Sequence, residues 1–373
     1  MGGTRHATQS VMIGGMGTAP GHAPYLPEPT GPSPVGTTSL YLKDVSRPDP
    51  WAAGVDAREL MVSLWYPATP SEGPRAPYMT PAESELQLTS RDITGVPPDV
   101  LSTTRTNAVS DATTAGGQGA LPLVVLSPGF TNARSVLTGL AEDLASHGYV
   151  VAGIDHTYES YGTSLPDGRV ATAVARETRR RTTGFWEKVQ AGRAADVSFV
   201  LDELTGAQPA WPGAGLIDPS RIAMAGHSIG GAAAIAAMVA DSRIRVGIDM
   251  DGMIPTPIPD GGLARPFLFL GKQANYTPGG EGSVTTWERD WKRLTGWKRW
   301  LVVAGAVHAS FTDLVLLADQ IGIDVEPHLP GARSLEITRA YVRAVFDQHL
   351  RREPQALLDQ PSPRYPEVSF CSP

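Results

Sequence analysis

Cysteine and charge are both scarce in this sequence. Its 373 residues include a single cysteine, Cys371, and only 18% of them are charged. One cysteine forms no intrachain disulfide and cannot build a thiolate metal cluster. Acidic residues outnumber basic ones by 38 to 31, so the net charge is −7 and the basic surplus of nucleic-acid-binding proteins is missing. We therefore expect no disulfide framework, no metal site and no nucleic-acid partner.

Long apolar runs are missing as well. No stretch approaches the roughly 18 consecutive apolar residues that a membrane-spanning helix needs. The N-terminus lacks the basic region and apolar core of a secretion signal. The sequence as written therefore predicts no membrane span and a cytoplasmic location, and it leaves secretion open. Hydrophobic residues still make up 41% of the chain, which is enough for a sizeable core.

Glycine and proline, by contrast, are abundant, with 40 and 33 copies. Such frequent turn residues exclude a coiled coil or an α-solenoid. We predict a Pro/Gly-rich N-terminal arm over residues 1–36 and one main domain over 37–352. Within that domain 67–119 is predicted to be a loop-rich insertion, and 353–373 is predicted to be a C-terminal tail.

Strand and helix patterns alternate along the main domain. The apolar run 123–126 is typical of a strand buried on both faces of a parallel sheet. The predicted strands are 38–42, 60–65, 123–126, 149–154, 221–226, 246–250, 267–270 and 300–303. The predicted helices are 133–147, 183–204, 230–240, 286–294 and 335–350. This order predicts an α/β fold with a doubly wound, mostly parallel sheet and helices on both faces.

The most informative motif is G-x-S-x-G over residues 226–230, between a predicted strand and a predicted helix. This setting places a serine on a sharp, strained turn with its hydroxyl exposed above the sheet. Gly226 and Gly230 fit because side chains at those positions would collide. We predict that Ser228 is a nucleophile and that the adjacent His227 has a structural role.

A nucleophilic serine needs a base and an orienting acid, and in this fold class both follow it along the chain. The G-x-S-x-G turn at 226–230 is called the elbow. Asp251 ends the next strand after the elbow, and catalytic groups gather at such strand ends in α/β sheets. Asp249, two residues deeper on the same face, is the rival acid. His308 is the predicted base because it follows the last predicted strand in a loop before a helix. The other downstream histidines are His328 and His349.

Backbone amides complete the predicted site. The amide of Ile229, directly after the nucleophile, and that of Phe130, in the loop after the first core strand, are the expected oxyanion-hole donors. Candidate substrate-lining residues are Tyr158, Tyr161, Met253 and Trp287, although core packing is the default for the last. The basic run Arg176, Arg179, Arg180 and Arg181 is expected to be solvated, with an anionic head group as the alternative ligand. No cofactor is expected.

Three local sequences resemble the platelet-activating factor acetylhydrolase branch of the α/β-hydrolases. Residues 226–231 are similar to its G-H-S-F-G-G elbow, 250–253 resemble its acid-bearing segment, and 307–313 are similar to its V-H-x-x-F-x-D stretch. The chain departs at Pro128, where relatives usually carry histidine. The resemblance implies an α/β-hydrolase catalytic domain and a calcium-independent carboxylester hydrolase, an esterase or lipase acting on a small-molecule or lipid ester.

Two other functions stay open on the residues alone. A thioesterase or acyltransferase of secondary metabolism would use the same triad. A non-catalytic binding module would keep the fold, because fold alone does not establish function. The substrate's acyl chain and alcohol and the oligomeric state are not predicted.

Overall fold

A ten-stranded sheet forms the centre of the structure, a computed structural model that describes residues 23–324, 326 and 328–373. The strands are β1 Val35–Asp44, β2 Arg58–Pro67, β3 Val109–Ser110, β4 Leu121–Ser127, β5 Val150–His156, β6 Gly162–Ser164, β7 Val170–Thr172, β8 Ile217–His227, β9 Ile244–Met250, β10 Phe267–Lys272, β11 Lys298–Val303 and β12 Val368–Cys371. The large sheet has the order β12-β11-β10-β9-β8-β4-β5-β2-β1-β3, and β6 pairs with β7 in a separate antiparallel hairpin. The five central strands run parallel to one another in the order β5, β4, β8, β9 and β10.

Helices cover both faces of this sheet. They are α1 Pro81–Thr89, α2 Thr138–Ser146, α3 Val174–Thr178, α4 Phe185–Thr205, α5 Ile229–Ala240, α6 Gln273–Tyr276, α7 Val284–Trp291, α8 Leu314–Ile321 and α9 Gly331–Leu350. Short 3₁₀ turns occur at Val100–Thr103, Arg134–Leu137, Pro212–Leu216, His308–Phe311 and Ala356–Leu358. None of the helices in the described ranges is long and apolar enough to cross a bilayer.

Alternation along β4 shows how the two layers are filled. Leu123 and Val125 belong to the apolar cluster that includes α4 and α5. Val124 and Leu126 belong to the opposite cluster, which includes α2 and α9. Successive side chains of a strand point to opposite faces, so an uninterrupted apolar run is buried on both. The predicted doubly wound, mostly parallel α/β architecture is confirmed.

The C-terminal segment extends the sheet. β12 pairs antiparallel with β11, from Trp300 opposite Cys371 to Val303 opposite Val368. Cys371 is half-buried there, and burial raises the pKa of its thiol. Within the segment 353–373, which the sequence predicts to be a C-terminal tail, residues 368–371 form this strand. A four-residue strand in a proline-rich segment offers too little periodic pattern to be recognised.

The N-terminal segment and the insertion pack against the domain where they are described. Leu26 is buried, and the Thr30 amide donates to Asp143 Oδ1 of α2 at 2.8 Å. Residues 1–22 of the predicted arm lie outside the described residues. In the insertion, Thr80 and Glu83 form a reciprocal capping box that begins α1.

Candidate active site

The turn between β8 and α5 holds Ser228 in a strained conformation. Its backbone has φ 56° and ψ −128°, a region that non-glycine residues rarely adopt. The Ser228 amide donates to Met250 O at 2.8 Å, and its carbonyl accepts from Gly231 N at 2.9 Å. Because both sides of the peptide are held, the turn keeps its geometry and the half-buried Ser228 side chain stays accessible.

Two glycines make this turn possible through close backbone contact. A Cβ on Gly226 would lie 2.2 Å from the carbonyl of Gly230, and one on Gly230 would lie 2.1 Å from Ser127 O. Neither position accepts a side chain without moving backbone. The spacing of the sequence motif therefore follows from the packing of the turn against the end of β4.

Asp251 and His308 come together beside the turn. His308 Nδ1 donates to Asp251 Oδ2 at 2.5 Å. The other carboxylate oxygen, Oδ1, accepts from the Lys272 amide at 2.7 Å, and the Asp251 amide donates to Leu270 O at 2.9 Å. Asp251 is 2% exposed, whereas the His308 side chain is 50% exposed. A buried, oriented carboxylate thus fixes the tautomer of an accessible imidazole, whose Nε2 is left unprotonated.

The rival acid, Asp249, lies beneath the turn. Its Oδ1 accepts from the Gly252 amide at 2.9 Å, and its Oδ2 has no partner among the described residues. Burial raises the pKa of Asp249 well above its ordinary value. In the described part of the chain Asp249 makes no hydrogen bond to His308, so it is not placed to orient that ring.

His227 supports His308 from below. Its Nε2 lies 2.7 Å from His308 O, and the two rings are 4.5 Å apart between centroids. Burial and the neighbouring His308 lower the pKa of His227, so the neutral ring donates from Nε2 to that carbonyl. Within the described residues no hydrogen bond joins the Ser228 hydroxyl to the His308 ring. In enzymes without substrate such a contact is often long.

The loop after β4, residues 128–132, lies against Ser228. A Cβ on Gly129 would be 3.3 Å from Ser228 Cβ and 2.9 Å from His227 Nδ1. In the described part of the chain, neither the Phe130 amide nor the Ile229 amide donates to a protein acceptor. Ile229 also begins α5, where the helix dipole favours negative charge. Two free amides beside a serine hydroxyl are suited to stabilise an oxyanion.

Two of the four candidate lining residues lie beside this loop or beside the turn at Asp251. The Tyr161 amide donates to Thr131 O at 2.9 Å, so Tyr161 is next to the loop after β4. Met253 lies two residues after Asp251 and is 42% exposed. Tyr158 packs both on the cluster of Met61, Leu165 and Ala171, near the β6–β7 hairpin, and on the main core cluster.

Trp287 lies in the core, which is the default interpretation of its sequence position, and it does not line the site. It is 0% exposed and stacks on Phe269 and Tyr276, with ring centroids 4.5 and 3.9 Å away. Its Nε1 donates to Gly252 O at 2.6 Å, so it supports the turn after Asp251 from the core. Helical spacing places a side chain on a face but does not tell whether a core or a pocket covers that face.

The sequence analysis missed an aromatic cluster around Phe130. The Phe130 ring lies 5.5 Å from Phe185 and 5.2 Å from Trp186, both edge-to-face, and Arg179 lies 4.8 Å over Trp186. The only available signal was the adjacent pair of aromatic residues after the basic run. The arginines of that run are exposed, as expected of a solvated cluster. No group of three metal-ligating side chains occurs in the residues described.

Comparisons with known proteins agree on one family. The family model described as "Platelet-activating factor acetylhydrolase, isoform II" matches residues 22–178 and 214–325. A probable 1-alkyl-2-acetylglycerophosphocholine esterase of Arthroderma benhamiae is 30% identical over 92% of this chain and 93% of its own length. Platelet-activating factor acetylhydrolase of Cavia porcellus is 24% identical, over 54% of this chain and 50% of that protein.

A solved structure supports the same fold. A ferulic acid esterase from Streptomyces cinnamoneus superposes with a TM-score of 0.83 at 43% sequence identity. The match covers 94% of this chain and 100% of that one. The α/β-hydrolase fold expected from the resemblance is therefore confirmed.

Proposed function

The chain belongs to the platelet-activating factor acetylhydrolase isoform II family of ester hydrolases, and on that premise we propose that it is a serine carboxylester hydrolase that works through an acyl-enzyme. The observation that carries this proposal is the 2.5 Å bond from His308 to the buried carboxylate of Asp251, beside the strained turn at Ser228. A nucleophile, a base and an orienting acid then come from three different strand ends.

The proposed mechanism has two half-reactions. Ser228 Oγ attacks the ester carbonyl while His308 Nε2 takes its proton, and the oxyanion is stabilised by the amides of Ile229 and Phe130. The tetrahedral intermediate collapses, and the alcohol leaves with the proton from His308. Water then attacks the acyl-enzyme by the same route, releasing the acid and restoring Ser228. Asp251 stabilises the imidazolium that forms in each half-reaction.

The proposed substrate is a small-molecule or lipid ester with an apolar part. The half-buried rings of Phe130 and Trp186, beside the loop after β4, and the exposed Met253, after Asp251, offer apolar surface. Relatives with named substrates act on an acetyl ester of a glycerophosphocholine and on a ferulic acid ester. A panel of p-nitrophenyl esters of increasing acyl length, with an aromatic acyl ester included, tests which group this surface prefers.

Replacing the nucleophile is the direct test. We expect Ser228→Ala to lower kcat for p-nitrophenyl acetate by about 10⁶-fold and to abolish labelling by a fluorophosphonate probe. Ser220→Ala, on the exposed part of the same strand, is the matched control and should keep both activity and labelling. An active Ser228→Ala variant would refute the acyl-enzyme, and a wild type that neither labels nor turns over would favour a binding module.

A further inference from the structure

A buried polar network lies under the loop after β4, residues 128–132, which is called the oxyanion loop for its role in the proposed reaction. Arg193 of α4 donates from Nη1 to Pro128 O and to Ser127 Oγ, the latter at 3.2 Å. Its Nε donates to Glu159 Oε2 at 2.8 Å. Arg193, Glu159 and Ser127 are all buried. Placing this guanidinium in the interior costs solvation that only a full set of partners offsets.

The same network contains a second serine–histidine–aspartate series. Ser127 Oγ lies 2.9 Å from His156 Nε2, and His156 Nδ1 lies 2.7 Å from Asp196 Oδ2. A carboxylate only accepts hydrogen bonds, so His156 carries its proton on Nδ1 and accepts from the Ser127 hydroxyl at Nε2. All three residues are at most 1% exposed, so no substrate reaches them. This series therefore holds the loop in position and takes no part in catalysis.

The far side of the network is anchored on β2. Arg58 binds Asp196 with Nε at 3.1 Å and Nη2 at 2.8 Å, and its Nη1 binds Asp49 at 2.7 Å. Glu159 is held in turn by Trp51 Nε1 at 3.0 Å. The network thus links the end of β4 to α4 and to the start of β2, and each of these groups has a defined partner.

Glu159 is linked to the loop on both sides of Phe130, through Arg193 before it and directly after it. Through Arg193 its carboxylate holds the carbonyl of Pro128, before Phe130. Its own backbone carbonyl accepts from the Thr131 amide, after Phe130, at 3.2 Å. The peptides on either side of Phe130 are therefore fixed, while the Phe130 amide itself has no protein acceptor among the described residues.

We propose that Arg193 and Glu159 are positioning residues that hold the Phe130 amide in its oxyanion-binding orientation. The proposal rests on the proposed function, since it assigns these residues to the oxyanion hole of that reaction. Pro128 has no backbone N–H and a restricted φ, so its carbonyl is the group by which the network can fix the turn. An amide that stabilises charge only in the transition state affects kcat more than KM.

The test is a graded series of variants at this pair. Arg193→Met removes the guanidinium, Glu159→Gln removes the charge that holds it, and Arg193→Lys keeps the charge with fewer donors. We expect Arg193→Met to lower kcat for p-nitrophenyl acetate by about 10- to 1000-fold, the upper limit being full loss of one oxyanion donor. KM should change by less than about threefold, and the other two variants should fall between Arg193→Met and wild type.

Inhibition supplies a readout that a merely structural role does not move. An aryl trifluoromethyl ketone forms a charged tetrahedral adduct on the nucleophilic serine, so its Ki depends on the oxyanion donors. We expect Ki to rise across the series in proportion to the loss of kcat/KM. A Ki that stays at the wild-type value while kcat falls overturns the proposal.

Arg339→Met is the matched control. Arg339 is a buried arginine of α9 that donates to Gly139 O at 2.9 Å, with no bond to the oxyanion loop. Its melting temperature should fall as that of Arg193→Met does, while its kcat stays at the wild-type value. If Arg193→Met does not fold, Glu159→Gln and Arg193→Lys carry the test, and kcat values within about twofold of the control would refute the proposal.

The outcome also separates the two proposals. An active Ser228→Ala variant refutes the proposed function whatever the series shows. An inactive Ser228→Ala variant together with fully active, folded variants at Arg193 and Glu159 refutes only the positioning role.

Discussion

At the scale of single residues, two aspartates on one strand have opposite environments. Asp251 receives the Lys272 amide and the His308 ring, both of which stabilise a carboxylate. Asp249, two residues earlier, is buried with one bonded oxygen and has a raised pKa. Burial without a cation favours the neutral acid, whereas donors favour the anion. The same side chain therefore suits an orienting role at one position and a packing role at the other.

This contrast predicts different effects for the same substitution. We expect Asp251→Asn to lower kcat by about 10⁴-fold, because an asparagine no longer holds the productive tautomer of His308. Asp249→Asn keeps an oxygen that can accept from the Gly252 amide and should keep kcat within about tenfold of wild type. Steady-state kinetics of the two variants, with melting temperatures measured alongside, make the comparison. The reverse order of effects would transfer the orienting role to Asp249.

At the scale of elements, a buried carboxyl joins the segment after His308 to α2. Asp313 accepts from the Gly139 amide with both oxygens, at 3.2 and 3.0 Å. Burial raises the pKa of Asp313 to about 7. The folded state thus binds this proton more tightly than the unfolded chain, whose aspartates titrate near 4. The resulting stability is complete below about pH 4 and is lost as the pH rises through about 7.

Asp313→Asn should therefore become relatively more stable as the pH rises. Asparagine carries no ionisable proton, so the melting temperature of the variant minus that of wild type should increase between pH 5 and 8.5. Each pKa unit between folded and unfolded states corresponds to about 1.4 kcal/mol. Thermal melts at both pH values measure the difference, with the exposed Asp359→Asn as the control. A difference that shrinks toward alkaline pH would contradict the argument.

The elbow and the buried network differ in how far they could be predicted. The elbow is local, because a strand, a turn and a helix contribute consecutive residues, and the fold supplies the rest. The network joins Arg58, Glu159 and Arg193, which are far apart in the chain. One signal was available: Arg193 lies four residues from both Val189 and Val197, on the buried face of α4. A charge on an apolar stripe indicates a buried partner, but the partner's identity requires the tertiary structure.

At the scale of the whole molecule, β12 covers what would otherwise be an open sheet edge. β11 pairs with β10 on one side and with β12 on the other, and Val368 is buried. An uncovered edge presents unpaired amides and carbonyls to other chains. The strand therefore contributes both to stability and to resistance against association.

Removing that strand should separate stability from activity. We expect deletion of residues 367–373 to lower the melting temperature by about 5 °C or more and to increase aggregation on heating. Activity per folded molecule should persist at low temperature, because β12 touches none of the three proposed catalytic residues. Scanning calorimetry and light scattering provide the measurement, and deletion of residues 372–373 alone is the control. An unchanged melting temperature would show that the edge does not depend on β12.

The only cysteine of the chain lies on this same strand. Its thiol therefore serves as a built-in reporter of one local event, the detachment of the sheet edge, without any engineered label. The rate at which a thiol-reactive dye labels Cys371 follows that detachment, while an esterase assay on the same sample follows the proposed site at Ser228. Thiol labelling, which reports detachment of β12, and esterase activity, which reports the proposed site, are thus two separate signals from one unmodified molecule.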